Sequence, residues 1–596
     1  MTHYARPTPT IGDPSSAAER REDPSGWAMG EDVVAALASV VAGRRDIRRF
    51  RPDAVPPDLI EAVIAAGHQA PSVGHSQPWR FIVVTDPATR DAAAAMADRA
   101  RLEQADHLTS ERAARLLDLK LEGLREAPVG LVVACDRRTP ATGVLGRATF
   151  TDADLWSCAT AVQNMWLTAR AHGLGMGWVT LFEPPELARL LHLPEGVETL
   201  GWLCLGWPDE RPPSPGLERA AWSRRLPLDE VILRERWPAP DEVEGGAPSP
   251  PPSHLRGPNA DRLVGASDDA DALLSPPESL GVLDRALNKV IATGGAEVTT
   301  GTLVLVGADH PVADLGVSAY PASVTADVMR AAVDGASVGA AAARAAGLAV
   351  TVIDAGVTGF ERFAPTGGGE ALVRARPEDA RGDLADADAL TRSDAERLIE
   401  RGREVGVEVG KRGMVLLGEV GVGNTTVAAA LACALLDLDP DDAVGLGAGS
   451  DSEVVARKRS VVTQALLRTA EKRQAATAKG AHELALTSLA ALGGPEIAVL
   501  TGVVLGAASV GAPVILDGLA GSLPAVVATA IDPSVQGYLI AGHQSRERAH
   551  GAVLRVLGLE PLLSLRLRAG EGVGACLAAS LILQGLQMRA LTARTG

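Results

Sequence analysis

Gly418-Glu419-Val420-Gly421-Val422-Gly423-Asn424-Thr425-Thr426 lies between an apolar run at 413–419 and an Ala-rich run at 425–436. A short apolar run, a glycine loop and a helical run form the strand–loop–helix unit of an α/β sheet. Peptide N–H groups and the helix N-terminus in such a loop together favour an anion. The spacing nearly spells the nucleotide loop Gly-x4-Gly-Lys-Thr, but Asn424 stands where lysine is required. The cation that would meet the β- and γ-phosphates is missing, so an ATPase is excluded and a phosphomonoester is the expected ligand.

The same alternation extends outward from this loop. Strands are predicted over 302–307, 348–354, 413–419, 512–516 and 537–541, with helices over 322–346, 391–407 and 425–436. That pattern is a doubly wound parallel sheet, which binds ligands at the carboxyl ends of its strands. Those ends carry Asp309-His310, Asp354, Glu419, Asp517 and His543. A single acid after a strand is commonly a helix N-cap, but a whole row of polar ends points to a site. Two further glycine loops follow. Gly445-Leu446-Gly447-Ala448-Gly449-Ser450-Asp451 precedes a helix bearing Lys458, and Arg568-Ala569-Gly570-Glu571-Gly572-Val573-Gly574 sets a carboxylate among glycines. Each loop also reads as a tight helix entry. The uncharged run 497–516 holds glycines and a proline, and predicts a core helix, a turn and a strand rather than a membrane span.

Upstream lies a stretch built to stay unfolded. It contains Trp237-Pro238-Ala239-Pro240 and Gly245-Gly246-Ala247-Pro248-Ser249-Pro250-Pro251-Pro252. Proline removes amide donors, glycine is costly to order, and little apolar surface is available to offset that cost. Residues 236–262 are therefore expected to be a linker between bodies at 31–235 and 263–596, with 1–30 a disordered N-terminal tail.

In the first body a helix over 31–43 runs into Arg44-Arg45-Asp46-Ile47-Arg48-Arg49-Phe50. Such a dense set of arginines suits either a charged helix end or a phosphate clamp, because guanidinium forks match phosphate oxygens. Ser72-Val73-Gly74-His75-Ser76-Gln77 and Gly173-Leu174-Gly175-Met176-Gly177-Trp178-Val179-Thr180 read as loops or as platforms for a flat ring. Helices over 57–67 and 155–172 mix with strands over 81–85 and 198–207 without strict alternation, which predicts an α+β fold.

A net charge of −17 opposes nucleic acid or an anionic membrane as a partner. Cys135, Cys158, Cys204, Cys433 and Cys576 are widely spaced, with no metal-ligand spacing. They predict reduced core thiols, a cytoplasmic protein and no metal. Arg20-Arg21 is followed by Glu-Asp-Pro-Ser-Gly instead of an apolar run, so no secretion signal is expected.

The first body resembles the nitroreductase-like flavin fold, and within it the 5,6-dimethylbenzimidazole synthase branch. Arg44-Arg45-Asp46-Ile47-Arg48 carries the resemblance, since ordinary nitroreductases have Ser where this branch has Asp. The resemblance implies that Arg44, Arg45 and Arg48, with Arg225, hold the phosphate of FMN. It implies that Ile47, Ser72, Gln77 and Gly177 line the flavin, and that Asp46 and Thr180 are the catalytic pair. Thr180 replaces the family Ser; the hydroxyl survives while the methyl restricts χ1. The implied reaction consumes reduced FMN and O2 and releases dimethylbenzimidazole, so the flavin is a substrate supplied by a separate flavin reductase. A carboxylate beside the ring would shuttle protons.

The second body is similar to the nicotinate-nucleotide:dimethylbenzimidazole phosphoribosyltransferase family from Ser279-Leu280-Gly281 to Gly574 and beyond. The marks are Gly307-Ala308-Asp309-His310, Val317-Ser318-Ala319-Tyr320-Pro321, the Glu419 loop, Leu516-Asp517-Gly518, Ala541-Gly542-His543-Gln544-Ser545 and Gly570-Glu571-Gly572. The implied reaction moves ribose phosphate from nicotinate mononucleotide to a benzimidazole nitrogen, giving α-ribazole phosphate, the lower ligand of cobalamin. Glu571 would be the general base, supported by Glu419. Gly421, Gly423, Asn424, Thr425 and Lys458 would hold the phosphate, while Ser318, Tyr320, Gly570 and Gly572 complete the substrate site. Asp327, Val573 and Gly447-Ala448-Gly449 depart from the family's Gln, Thr and Gly-Thr-Gly. Each hydroxyl lost near a phosphate weakens binding by about 1–2 kcal/mol.

Together these resemblances imply a bifunctional enzyme of cobalamin lower-ligand synthesis, acting on small molecules and forming a homodimer. The rivals are a plain flavin reductase fused to a transferase for another azole or phenol, and a fusion whose second body binds nucleotide or benzimidazole without turnover.

Overall fold

A computed structural model describes residues 4, 6–7, 10–119, 123–237, 254–294, 298–360, 363, 371–447 and 452–595. They fall into a smaller unit, Trp27–Glu242, and a larger one in which Met1–Gly26 joins Val243–Gly596.

The smaller unit is built on β1 (Trp79–Val84), β2 (Val129–Asp136), β3 (Gly175–Val179), β4 (Val197–Thr199) and β5 (Trp202–Gly206). Their order is β1-β2-β5-β3, with β4 also on β2, and every pairing is antiparallel. This is the α+β class expected. The single strand predicted over 198–207 is instead β4 and β5. The chain turns between them at Gly201, whose φ of +99° favours glycine and whose Cβ would press on the Val179 carbonyl oxygen. Helices Pro57–His68 and Ala153–Ala171 pack together over a core of Val63, Met165, Trp79 and Leu131. The helix Glu31–Gly43 forms at the predicted bounds, but none of its residues is buried.

The larger unit carries β6 (Gly301–Gly307), β7 (Ala349–Asp354), β8 (Ala371–Arg374), β9 (Met414–Val420), β10 (Val514–Leu516) and β11 (Leu539–Ala541). Their order is β11-β10-β9-β6-β7-β8, parallel throughout. The chain runs outward from β6 to β8, then crosses to the other side at β9. The crevice of such a sheet therefore opens at the carboxyl ends of β6 and β9. Alternate residues feed two cores: Val304, Val306, Val415 and Leu417 on one face, Leu303, Leu305, Met414 and Leu416 on the other.

Several expectations need correction. The helix predicted over 322–346 is two, Ser323–Val333 and Val338–Ala345. Gly335, at φ +70°, turns the chain between them, and the Ser337 hydroxyl accepts the Ala340 N–H at 3.2 Å as a cap. Part of the expected disordered tail is ordered: Ala17–Glu22 is helical with a Ser16/Glu19 capping box. Arg6 and Arg20 meet Asp271, and Arg21 meets Asp268, on the helix Ala260–Asp271. Residues 238–253 of the expected linker lie outside the described residues, but the end of that stretch is folded. The His254 and Leu255 N–H groups donate to the Asp532 carboxylate, and the next helix starts at Ala260.

The uncharged run 497–516 forms a buried helix, Pro495–Ser509, followed by β10. Among the described residues a single helix, Val573–Leu591, is long and apolar enough to cross a membrane, yet its Ala575, Cys576, Ala578, Ala579 and Ile582 sit in the core.

The helix Pro495–Ser509 crosses Arg392–Gly410 at reciprocal glycines. A Cβ on Gly402 or Gly406 would strike the Val499 or Val503 carbonyl, and one on Gly502 or Gly506 would strike that of Ile399 or Arg403. Alanine normally stabilises a helix over glycine by about 0.5–1 kcal/mol. Here overpacking reverses the sign, and Gly502→Ala should cost about 1–3 kcal/mol. Differential scanning calorimetry should show a lower Tm for the larger unit; an unchanged or raised Tm contradicts this packing.

Candidate active sites

At the crevice of the larger unit lies a cavity of about 470 Å³. Its wall comes from loops after four strands: 317–325 after β6, 419–425 after β9, 517–520 after β10 and 543–548 after β11, together with 567–574. The helices Asn424–Leu436, Leu519–Ile531 and Val573–Leu591 begin at the cavity, so their positive ends face it. Gly423 and Gly572, the residues before two of these helices, have φ of +95° and +75°. Lys458 is buried, and its Nζ donates to Thr425 Oγ1 at 3.1 Å, with burial pushing its pKa down. Tyr320 lines the opening and is 52% exposed.

Two carboxylates meet inside. The Glu571 N–H donates to the Glu419 carbonyl oxygen at 3.3 Å, tying the loops. Glu571 Oε2 accepts the Gly339 N–H at 3.1 Å, at the start of the helix Val338–Ala345. Glu571 holds φ +54°, a left-handed conformation costly for a residue with a Cβ. Glu419 is buried, and its carboxylate accepts from Asn424 Nδ2. Burial first, then the charges of Glu496, Asp517 and Glu571, push the Glu419 pKa up to about 8. Asp517 Oδ1 accepts the Ala575 N–H at 3.1 Å and lies 3.3 Å from His543 Nε2. At neutral pH Glu419 therefore holds a proton beside acids that oppose its ionisation.

Behind the 421–425 loop is a second buried set. His310 Nε2 lies 3.4 Å from Glu496 Oε1. Burial lowers the His310 pKa to about 3 and raises that of Glu496 to about 7.

In the smaller unit Arg48 Nη2 donates to Asp46 Oδ1 at 2.8 Å and to the Trp178 carbonyl at 3.0 Å. The Arg44 guanidinium stacks 4.7 Å above the Trp166 ring. Arg45 Nη2 donates to the Pro213 carbonyl at 2.8 Å. Arg44, Arg45, Arg224 and Arg225 line one open cavity of about 1000 Å³. Arg48 Nη1 and Arg45 Nε are buried without a partner, and a Cβ on Gly177 would strike the Ile47 carbonyl oxygen. Gly177 thus lets the 46–48 segment pass close over β3, and the converging guanidinium groups of Arg44, Arg45, Arg224 and Arg225 suit a phosphate such as that of FMN.

Residues 256–595 match the model of a phosphoribosyltransferase family, and residues 41–207 that of the nitroreductase family. Nicotinate-nucleotide–dimethylbenzimidazole phosphoribosyltransferase of Thermus thermophilus is 38% identical over 317 residues, 52% of this chain and 90% of the relative. 5,6-Dimethylbenzimidazole synthase of Rhodospirillum rubrum is 41% identical over 191 residues, 32% of this chain and 90% of the relative. The crystal structure of CobT from Thermus thermophilus matches with a TM-score of 0.50 and 35% identity, covering 56% of this chain and 97% of that one.

This chain belongs to both families, one in each unit.

In the phosphoribosyltransferase unit the cavity gathers Ser318, Tyr320, Glu419, Gly421, Gly423, Asn424, Thr425, Lys458, Gly570 and Glu571. Among the polar strand ends, Glu419, Asp517 and His543 line it, whereas Asp354 caps the Gly356 and Val357 N–H groups and pairs with Arg376. Asp327 is exposed and pairs with Arg330 at 2.8 Å, and the cavity wall passes it by. Residues 448–451 of the second glycine loop lie outside the described residues. Gly339 was not anticipated; it is distant in sequence and has no motif of its own.

The nitroreductase unit brings Arg44, Arg45 and Arg225 together and adds Arg224, but turns Arg48 onto Asp46. Asp46, Ile47, Arg48, Ser72, Gln77, Gly177 and Thr180 do not line that cavity. Ser72 Oγ accepts the Gln77 N–H at 3.1 Å, and His75 and Gln77 hold φ of +52° and +48°.

A raised carboxyl pKa fixes a pH dependence. Glu419 is neutral in the folded state up to about pH 8 but ionises at the ordinary carboxylate value when unfolded. Its stability contribution is complete below the unfolded pKa and is lost as pH rises through the folded one. Glu419→Gln should therefore gain thermal stability relative to the wild type as pH rises from about 5 to about 9. A Tm difference that stays flat across that range contradicts the buried proton.

Proposed function

We propose that this chain carries out two consecutive steps of cobalamin lower-ligand synthesis. The nitroreductase unit forms dimethylbenzimidazole from reduced FMN and O2. The phosphoribosyltransferase unit then transfers ribose phosphate from nicotinate mononucleotide to it, releasing nicotinate and α-ribazole phosphate. The observation that carries this reading is the pairing of the two relatives. One is named for making the base that the other is named for using, and 90% of each is spanned here.

The geometry supports roles for particular side chains. In the transferase cavity Glu571 takes the azole proton as the nitrogen attacks the ribose carbon. Glu419, held neutral, supports Glu571 from the adjoining loop, and an acid-lined wall favours the positive charge that develops as nicotinate departs. Gly421, Gly423, Asn424, Thr425 and Lys458 grip the phosphate through peptide N–H groups, a helix N-terminus and one cation.

In the other unit Arg44, Arg45 and Arg225 hold the flavin phosphate, and Ile47, Ser72, Gln77 and Gly177 line the ring. Reduced flavin, when bound, supplies the electrons and the carbon skeleton of the base. Asp46, oriented by Arg48, moves protons beside the ring, with the Thr180 hydroxyl as its catalytic partner. A separate reductase supplies the flavin.

We read the working form as a homodimer. Val33, Val34, Leu37 and Val41 expose 50–59% of their surface along the helix Glu31–Gly43, an apolar stripe suited to a second copy. All five cysteines are free and buried, which supports a reducing, cytoplasmic setting.

Incubating the full chain with reduced FMN, O2 and nicotinate mononucleotide should give α-ribazole phosphate by mass spectrometry. Asp46→Asn should abolish the product unless dimethylbenzimidazole is added. Glu571→Gln should let dimethylbenzimidazole accumulate while nicotinate release falls by about 10²–10⁴-fold. Flavin oxidation without the base, or full nicotinate release from Glu571→Gln, would overturn the reading.

A further inference from the structure

The wall assigned to the nucleotide phosphate already holds a carboxylate of the chain itself. Glu547 lies between β11 and the helix His550–Val556. Its Oε1 accepts the Gly447 N–H at 3.1 Å, and a Cβ on Gly445 would strike its Oε2. The side chain thus rests against the backbone of 445–447, where glycine lets it approach. Its own backbone is fixed: the Glu547 N–H donates to Ser545 Oγ at 3.4 Å, and its carbonyl accepts the His550 N–H at 3.1 Å. Glu547, Gly445, Gly447, Lys458, Thr425 and Ser545 line the same cavity. Burial raises the Glu547 pKa, while Lys458, the Gly447 N–H and Arg546 oppose the rise. These cations and the amide are the groups that would otherwise meet a phosphate oxygen.

We infer that Glu547 is a built-in substitute for the nucleotide phosphate, seated on the 445–447 amides in the unliganded chain and displaced when the nucleotide binds. A buried amide and a buried ammonium are costly without an acceptor or counter-charge; Glu547 accepts the Gly447 N–H and lies within electrostatic reach of Lys458, whose Nζ bonds Thr425. The same contact sets the affinity of the subsite, because an incoming phosphate must compete with a charge already there. It also discriminates: a neutral nucleoside gains nothing from pushing the carboxylate away.

This inference rests on the phosphate reading of that wall, and the experiment separates the two. Nicotinate mononucleotide binding to the full chain is measured by calorimetry, and its KM by nicotinate release with added dimethylbenzimidazole. Wild type, Glu547→Gln and Lys458→Ala are compared. Glu547→Gln keeps the shape and the acceptor but loses the charge, and should tighten nucleotide binding and lower KM about three- to tenfold. Binding of nicotinate riboside, which lacks the phosphate, should not change. Lys458→Ala should weaken the nucleotide. If Lys458→Ala weakens binding but Glu547→Gln fails to tighten it, the substitute role is wrong and the phosphate wall stands. If Lys458→Ala has no effect, the wall is misassigned and the inference falls with it. Glu547→Ala serves the same comparison should the glutamine variant misfold.

Discussion

Glycine holds two acids against one another in the transferase cavity, and the rest of that unit is arranged around the consequence. A Cβ on Gly418 would sit 2.9 Å from the Glu571 carbonyl carbon, and Gly339 likewise leaves room only for the Glu571 backbone. With those side chains absent, the 570–572 loop drops onto the end of β9. The Glu571 amide then bonds the Glu419 carbonyl, and both residues, nearly buried, line the same cavity wall. Burial and the charges of the neighbouring acids oppose the ionisation of Glu419 and push its pKa up to about 8. The Glu571 carboxylate accepts the Gly339 N–H at the start of a helix, which fixes its position on the same wall.

The sheet explains why such a loop is possible. Because β9 returns beside β6, loops from both halves of the chain converge at one edge, each entering a helix directly. Three helix N-termini supply fixed positive ends toward the cavity, an arrangement suited to an anion. The smaller unit gathers its positive charge from guanidinium groups instead. Its antiparallel sheet has no row of helix entries at one edge, so side chains do what peptide groups do in the other unit.

Much of this was legible in the sequence. The parallel strands read as unbroken apolar runs because both faces are buried, and the glycine loops announced the helix entries at 424 and 573. The breaks were harder to see. Residues 322–346 are rich in helix formers, and only Gly335 and the Ser337 cap divide them. Residues 198–207 alternate well enough for one strand, but Gly201 takes a backbone conformation that ends it. The helix at Ala17–Glu22 depends on ion pairs to a helix some 250 residues away, by numbering, a partner that local pattern cannot reveal. Glu547 escaped notice for the same reason: its meaning lies in the 445–447 amides, about 100 residues earlier. Within the arginine cluster the sequence left a charged helix end and a phosphate clamp open, and could not say that Arg48 would turn to Asp46.

The claim that Glu419 holds its proton at neutral pH can be tested without turnover. Infrared difference spectra of the full chain labelled with carbon-13 glutamate, compared with those of Glu419→Gln, follow that one carboxyl group across pH. The account predicts a protonated-acid band present at neutral pH, lost near pH 8 and missing in the variant. A Glu419 band that instead disappears in the ordinary carboxylate range, near about pH 4–5, would contradict it.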